Sequence, residues 1–362
     1  MRKLSYAKAL NMALADELAD DPAVCVFGED IVAGMAGLTL GLHKRFGSTR
    51  IVDTPLSEQG FAGMAIGAAL AGRRPVIEFQ IPSLLFLVFE QIANQAHKLA
   101  LMTGGQLSVP VTYVVPSSGS RDGWAGQHSD HPYSLLAHVG VKTVVPALPS
   151  DAYGLLRAAI QDPDPTVVFA PASAMGNREA VEISELVPVP LGSARVHRSG
   201  TDVTVVALGH LVADALAVAD ELAGEVSVEV FDPRTVYPFD WAALATSVAK
   251  TRRLVVIDDS NRMCGFAAEI LASAAESLPL IAPPRRVTRP DGAVLPFARQ
   301  LDHAVQPQPE QLTAAIRAVM AWSAGQVTAH SADAPVVHTP TRIESHRRPR
   351  SNRMETGGIP AP

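Results

Sequence analysis

Short, unbroken apolar runs alternate with helix-length segments along this chain, and the alternation runs twice. Ala23 to Phe27, Arg50 to Thr54, Pro75 to Gln80, Val109 to Val115, Lys142 to Pro146 and Thr166 to Phe169 read as strands. Ser5 to Leu18, Ser83 to Met102 and Ser150 to Ile160 read as helices between them. Strands that are apolar throughout, separated by helices, predict a parallel sheet covered on both faces. From Pro171 to Arg195 the pattern loosens into Pro, Gly and charge. It then restarts with strands Val203 to Leu208, Val226 to Phe231 and Leu254 to Ile257. The helices there are Val212 to Leu222, Trp241 to Lys250 and Gly265 to Ala275. Pro309 to Trp322 predicts a closing helix, with Leu312, Ile316 and Val319 on one face. The expected class is therefore α/β, with two parallel-sheet domains at residues 1–180 and 199–325 and a linker at 181–198. Residues 326–362 are Pro-rich, basic at His346 to Arg350 and poor in large apolar side chains, which predicts a disordered tail.

Within this frame, Asp53 to Gly67 (DTPLSEQGFAGMAIG) carries the most chemical information. Pro55 discourages helix before it and Ser57 suits an N-cap, so Glu58 falls at the start of a helix. Gly60, Gly63 and Gly67 leave that helix with little side chain, so another backbone or a flat ligand can come close. An acid fixed beside such a surface is suited to hydrogen-bonding a heteroaromatic ring nitrogen. The plainer reading is an acid that stabilises a helix start through the macrodipole, and the residues alone leave both open.

Composition excludes several classes. A chain of 362 residues with 48% hydrophobic and 18% charged residues can bury large cores. The net charge of −6, with no basic stripe, gives no sign of nucleic acid as a partner. Two cysteines, Cys25 and Cys264, make no disulfide framework and point to a reducing, cytoplasmic setting. The first residues carry acids where a signal peptide has its apolar core. No window reaches the ~20 apolar residues of a membrane span; the nearest, Ile81 to Phe89, ends at Glu90.

Several segments, in order, carry a resemblance: VFGEDI at Val26 to Ile31, RIVDTPLSEQGFAGMAIGAALAG at Arg50 to Gly72, RPVIEFQ at Arg74 to Gln80, GQHSD at Gly126 to Asp130, DPDPTVVF at Asp162 to Phe169 and FDPRTVYPFD at Phe231 to Asp240. In these the chain, from about Leu4 to Ala324, resembles the β subunit of the thiamine-diphosphate-dependent, decarboxylating component of 2-oxo acid dehydrogenase complexes. The resemblance implies a transketolase-like pyrimidine-binding domain followed by a transketolase C-terminal-like domain. It also implies a cofactor lying between this chain and an α subunit in an α2β2 assembly. Glu58 would hydrogen-bond the aminopyrimidine ring of thiamine diphosphate. The cofactor then serves as electron sink when a 2-oxo acid, of pyruvate or branched-chain type, loses carbon dioxide. His128 would lie in the substrate channel, contacting the substrate carboxylate or serving acyl transfer to the lipoyl arm of an acyltransferase core. Glu29 would face the subunit cleft, and Phe79, Gln80 and Leu84 would pack around the ring. The carbonyls of Val111, Ala159, Asp162 and Asp164 match positions that bind a monovalent cation, K+, in the family.

Plainer readings stand beside these. Glu29 can be an acid in a strand-end loop, and His128 a solvated loop histidine. His128, Asp130 and His131 could be read as metal ligands, although no fourth ligand is evident. The stretch from Ser83 to Met102 reads equally as a core or interface helix. The chain also departs from the family pattern. Leu84 stands where an aromatic is common, which forfeits a stacking contribution of about 0.5–1.5 kcal/mol. Asp258 to Phe266 (DDSNRMCGF) is more polar than the family's Glu and glycine-rich turn. No GDG segment, P-loop or GxGxxG fingerprint occurs. The magnesium and diphosphate half of a thiamine-diphosphate site is therefore expected from the α subunit, with activity only in the assembly. Two other functions fit the same segments. One is a two-component thiamine-diphosphate enzyme that passes the activated aldehyde to another acceptor, as in acyloin or specialised metabolism. The other is a non-catalytic scaffold subunit. A flavodoxin-like or nucleotide-binding regulator would need a phosphate loop that is not found.

Overall fold

In the computed structural model, which describes residues 2–119 and 123–323, the two alternations become two sheets. The first sheet has seven strands. Their spatial order is Thr235–Tyr237, Lys142–Val144, Thr166–Pro171, Thr112–Ser118, Arg74–Glu78, Val24–Gly28 and Ile51–Asp53. All neighbours in it are parallel except Thr235–Tyr237, which pairs antiparallel with Lys142–Val144. The second sheet runs Arg285–Arg289, Leu254–Asn261, Val203–Ala207, Val228–Asp232 and Arg195–Arg198, with only the last antiparallel. A short ribbon pairs Arg2–Ser5 with Arg178–Val181. The expected α/β class with two mainly parallel sheets is what forms.

Three apolar cores hold these layers. Helices Tyr6–Asp20 and Pro149–Gln161 cover one face of the first sheet, with Leu10, Leu14, Leu156 and Ile160 buried against Val24 and Val168. Helices Leu211–Glu221 and Pro309–Met320 cover the outer face of the second sheet; Leu312, Ile316 and Val319 are buried there at helical spacing. The third core is shared by the lobes. Phe61, Phe79, Tyr113 and Tyr133 join Phe231, Val256 and Phe266 in one buried cluster. The two sheets are therefore one folding unit through this middle layer, and loops from one lobe are positioned by the other.

Several local expectations change. The single helix expected over Ser83 to Met102 is broken into a turn at Leu84–Leu87, a π-helical turn at Gln91–Ala96 and a helix at His97–Met102. The run LLFLVF is apolar all round, so packing rather than periodicity sets its path, and Phe86 and Leu87 are left exposed. Arg195–Arg198, inside the expected linker, is an edge strand of the second sheet. Arg285–Arg289 is the opposite edge strand. Both are mostly charged, as edge strands often are, so neither shows an apolar run in sequence. Ser57 occupies the N-cap of helix Glu58–Leu70, but its side chain makes no capping bond. The expected tail at 326–362 lies outside the described residues. Among the described residues, no helix is long and apolar enough to cross a membrane.

Candidate active site

Four adjacent strands of the first sheet end on the same edge, and each delivers one piece of the site. Gly28 closes strand Val24–Gly28 and is followed by Glu29; Glu78 closes Arg74–Glu78 and is followed by Phe79 and Gln80. Ile51–Asp53 leads into Glu58, and Thr112–Ser118 leads into the segment that carries His128. The carboxyl ends of parallel strands are where open α/β sheets bind ligands, because the loops diverge there. Gly28 and Glu78 are directly paired. A Cβ on Gly28 would lie 2.6 Å from the Glu78 carbonyl, so only glycine allows this approach. Asp53 accepts a bond from the Val32 amide at 2.9 Å, and Thr54 donates to the Gly28 carbonyl at 2.9 Å. These bonds tie the Glu29 and Glu58 loops together.

The acids in this corner are crowded. Glu29 is 8% exposed, and its Oε1 is buried with no hydrogen-bond partner among the described residues. Burial raises its carboxyl above the usual range, and the charges of Glu58 and Asp30 raise it further. Asp30 itself adopts φ 53°, a left-handed conformation that non-glycine residues seldom take and that clusters at functional sites. Glu58 is half-buried at the first position of its helix. Gln80 bridges the group: its Nε2 donates to the Glu29 carbonyl at 2.9 Å and to Glu78 Oε1 at 3.1 Å. Glu78 is 1% exposed, and burial pushes its carboxyl up to about 7 against the opposing bond from Gln80. Its other oxygen has no partner among the described residues. Glu78 was not singled out from the sequence. The available signal was an acid closing the apolar run Pro75–Ile77 of RPVIE.

Two expected ring contacts divide. Leu84 is half-buried at the start of the Leu84–Leu87 turn and packs on the shared core. Phe79 sits deeper. It is 1% exposed, lies between Phe61 (5.8 Å) and Tyr113 (6.1 Å, parallel), and so backs the strand rather than facing a cleft. Strand alternation is the cause, since Glu78 and Gln80 take the opposite side. His128 closes a short 3-10 turn, Gly126–His128, half-buried and edge-on to Trp124 at 5.9 Å. Ala125 before it holds φ 62° and ψ 179°, a conformation ordinarily left to glycine.

The HSDH residues do not converge on a metal. Asp130 accepts from Ser83 Oγ at 2.9 Å, while buried His131 places Nδ1 3.0 Å from Asp259 Oδ2 in the second lobe. Asp151, His197 and Asp232 do bring their polar atoms within 4.8 Å of one another. Arg234 Nε also lies 3.1 Å from Asp151, so this cluster is an ion-pair network between lobes. The four carbonyls matched to a monovalent cation already accept bonds. Val111 takes the Thr166 amide (3.1 Å), Ala159 the Thr112 hydroxyl (3.1 Å), Asp162 the Arg74 guanidinium (3.0 Å) and Asp164 the Thr166 hydroxyl (3.4 Å). Lys142 Nζ lies 2.7 Å from Asp162 and 2.9 Å from Asp164. The turn thus carries cations of its own.

Comparison with known proteins places this arrangement. The family described as transketolase, pyrimidine binding domain, matches residues 2–177, and that described as transketolase, C-terminal domain, matches residues 192–312. The chain is 41% identical over 282 residues to the 3-methyl-2-oxobutanoate dehydrogenase subunit beta of Mycobacterium tuberculosis, covering 76% of this chain and 80% of the relative. It is 37% identical to the pyruvate dehydrogenase E1 component subunit beta-2 of Oryza sativa, covering 87% and 86%. It is also 37% identical to the acetoin:2,6-dichlorophenolindophenol oxidoreductase subunit beta of Bacillus subtilis, covering 86% and 95%. A solved split-gene transketolase, an inactive beta4 tetramer, superposes with a TM-score of 0.71 at 20% identity over 86% of this chain and 97% of that one, which speaks to the fold. The chain belongs to the transketolase-like family of thiamine-diphosphate-dependent 2-oxo acid dehydrogenase E1 β subunits.

Proposed function

We propose that this chain is the catalytic β subunit of a 2-oxo acid dehydrogenase, working with an α subunit to decarboxylate a pyruvate-type or branched-chain 2-oxo acid and pass the acyl group to a lipoyl acyltransferase. The observation that carries the reading is the pair Glu29 and Glu58. The charge of Glu58 is felt at Glu29, and one buried oxygen of Glu29 has no donor among the described residues. A buried carboxylate oxygen left without a donor costs free energy, so the corner is built to receive one from outside the chain. An aminopyrimidine ring offers donors of that kind, and Glu58 would hydrogen-bond its ring nitrogen. Thiamine diphosphate, when bound, supplies the carbon nucleophile and the electron sink for decarboxylation.

The chain's own groups would divide the remaining work. Gln80 fixes the Glu29 backbone and shields Glu78, which stays protonated into the neutral range. Leu84 supplies an apolar wall. His128, on the strained turn, would meet the substrate carboxylate or the incoming acyl acceptor. Magnesium and the diphosphate would be held by the α subunit, with an α2β2 assembly as the working form. A K+ ion at the Ala159–Asp164 turn would compete for carbonyls that are already bonded, Ala159 by both the Thr112 hydroxyl and the Asp162 amide. The proposed division of the chain is a pyrimidine-binding domain to residue 180 and a C-terminal domain from 199 to 325.

The test is reconstitution with an α-type subunit, thiamine diphosphate and Mg2+. Pyruvate and 3-methyl-2-oxobutanoate are offered with a lipoyl domain as acceptor. Acylated lipoyl domain, detected by mass spectrometry, is the expected product. Cleavage of acetoin with a dye as acceptor, and no acylation, would move the protein to the acyloin branch. No turnover of any of these would leave a scaffold role.

A further inference from the structure

The His128 segment belongs to the first lobe by sequence, yet most of what fixes it comes from the second. Its base is pinned within its own lobe: the Gly119 amide donates to the Asp130 carbonyl at 3.0 Å, and Asp130 accepts from Ser83 Oγ at 2.9 Å. Next to that base, Arg289 Nη1 reaches across to the Ser129 carbonyl at 3.4 Å. Arg289 is held in turn by Asp259, Nε to Oδ1 at 2.6 Å, and both side chains are 3% exposed. The second oxygen of Asp259 lies 3.0 Å from His131 Nδ1 and 4.0 Å from His210 Nε2. One carboxylate thus gathers two neighbouring strands, the start of helix Leu211–Glu221 and the residue that ends the His128 segment. The tip is seated on the same lobe: the Gly123 amide donates to Asp302 at 3.3 Å, and a Cβ on Gly126 would strike Val294 at 2.3 Å.

We propose that Asp259, acting through Arg289 and His131, is the positioning residue for the His128 turn. It does not touch substrate. A guanidinium held by a carboxylate is a rigid fork, so the Ser129 carbonyl, one residue from His128, has a fixed partner. His131 lies against the same carboxylate two residues further on, with Nδ1 3.0 Å from Oδ2. With the base of the turn fixed, the strained Ala125 conformation and the Trp124–His128 contact persist; with Asp259 removed, Arg289 and His131 lose the carboxylate that orients them, and the Ser129 carbonyl loses its fixed partner.

The proposal rests on His128 serving the reaction, and its test is arranged so that the two can fail separately. Trp124 beside His128 is an internal probe. In the full-length chain with Trp241→Phe and Trp322→Phe, acrylamide quenching and anisotropy report the tip alone. Asp259→Asn should at least double the quenching constant and lower the anisotropy. Arg289→Lys, which keeps the charge but not the fork, should do the same to a smaller degree. Asp259→Glu should recover part of the loss. In the enzyme reconstituted with its α subunit, Asp259→Asn should lower kcat about tenfold or more while KM for the 2-oxo acid stays within about twofold. Folded Asp259→Asn and Arg289→Lys variants, by circular dichroism, with unchanged Trp124 quenching would overturn the positioning role. If His128→Gln leaves turnover intact while the quenching still responds to Asp259, the clamp stands and the role of His128 falls.

Discussion

Two buried ionisable clusters can be set side by side, the Glu29–Glu58–Glu78 corner of the first lobe and the Asp259–Arg289–His131 cluster between the lobes. Both lie near strand ends, and both bury carboxylates: Glu29, Glu78 and Asp259 almost completely, Glu58 by about half. They differ in compensation. Around Asp259, burial alone would raise the carboxyl, but the Arg289 guanidinium and His131 outweigh it and hold it well below the usual carboxylate range. In the first-lobe corner no cation pairs with these acids among the described residues; burial pushes Glu29 and Glu78 upward, and the charges of Glu58 and Asp30 raise Glu29 further. A cluster with its own countercharge holds structure, even though Asp259 Oδ2, His131 Nδ1 and Arg289 Nη2 lack hydrogen-bond partners among the described residues. An uncompensated one is stable only with protons on it or with a donor brought from outside. This contrast separates the site from the scaffold more clearly than burial or charge count does.

The sharpest way to break the comparison is to remove one acid from each cluster. Glu58→Gln, in the reconstituted enzyme, is expected to lower 2-oxo acid decarboxylation on the order of 10²–10⁴-fold, the range for a lost proton-transfer group. Glu58 makes no hydrogen bond or ion pair with the described residues, so the melting temperature of the chain should hardly move. Unchanged turnover would remove Glu58 from the mechanism. Asp259→Ala should show the reverse balance in a urea titration. It leaves Arg289 buried and unpaired and should cost about 3–5 kcal/mol of stability, much of which Asp259→Leu with Arg289→Met should restore. A loss below about 1 kcal/mol would mean that the cluster is less compensated than its geometry says.

The clusters should also answer pH in opposite directions. Glu78 titrates at about 7 in the fold against an ordinary 4.5. Between those values the folded chain keeps a proton that the unfolded chain has released, so stability falls as pH rises through this window. The full loss at pH 8 is about 3 kcal/mol as an upper figure, and Glu78→Gln should remove that share of the slope. His210, beside Asp259, is lowered by burial to about 4 from 6.5. Its contribution is lost as pH falls from 6.5 toward 4, because the unfolded chain gains a proton that the folded chain refuses. Asp259, whose carboxyl is depressed, keeps its contribution until strongly acid pH. Melting curves from pH 5 to 8 for Glu78→Gln against the parent chain measure the first effect directly.

What the sequence disclosed follows the same division. The strands of both sheets are apolar runs because both faces are covered, so the fold class could be read from pattern alone. Glu58 was legible because a proline, a serine and three glycines mark its helix start. Glu78 was not, since an acid inside RPVIE gives no sign that its strand neighbours leave it without a cation. Asp259 and Arg289 stand 30 residues apart in sequence and on neighbouring strands in space. The polar run DDSNRM was visible as unusual, but its partner could only be found from the strand register. For Phe79 the resemblance located the segment, while its burial between Phe61 and Tyr113 could be read only from the structure. Short edge strands such as Arg195–Arg198 carry charge for reasons of exposure and leave no apolar signal.

The smallest expected effect concerns the helix that begins at Glu58. A Cβ on Gly63 or Gly67 would meet nothing within 4 Å. The surface around them carries Leu56, Met64 and Leu70 at 83%, 46% and 44% exposure. Alanine in a helix interior is worth about 0.5–1 kcal/mol over glycine, so Gly63→Ala with Gly67→Ala should raise the stability of the isolated chain. If this face is left bare because a second polypeptide closes on it to complete the carboxylate corner, the added methyls obstruct that approach. The double variant should then melt a few degrees higher alone and bind the α subunit about tenfold more weakly in sedimentation or calorimetry. Higher stability with undiminished assembly would show that the corner is completed from another direction, and would leave the glycines of this helix without a role in closing the site.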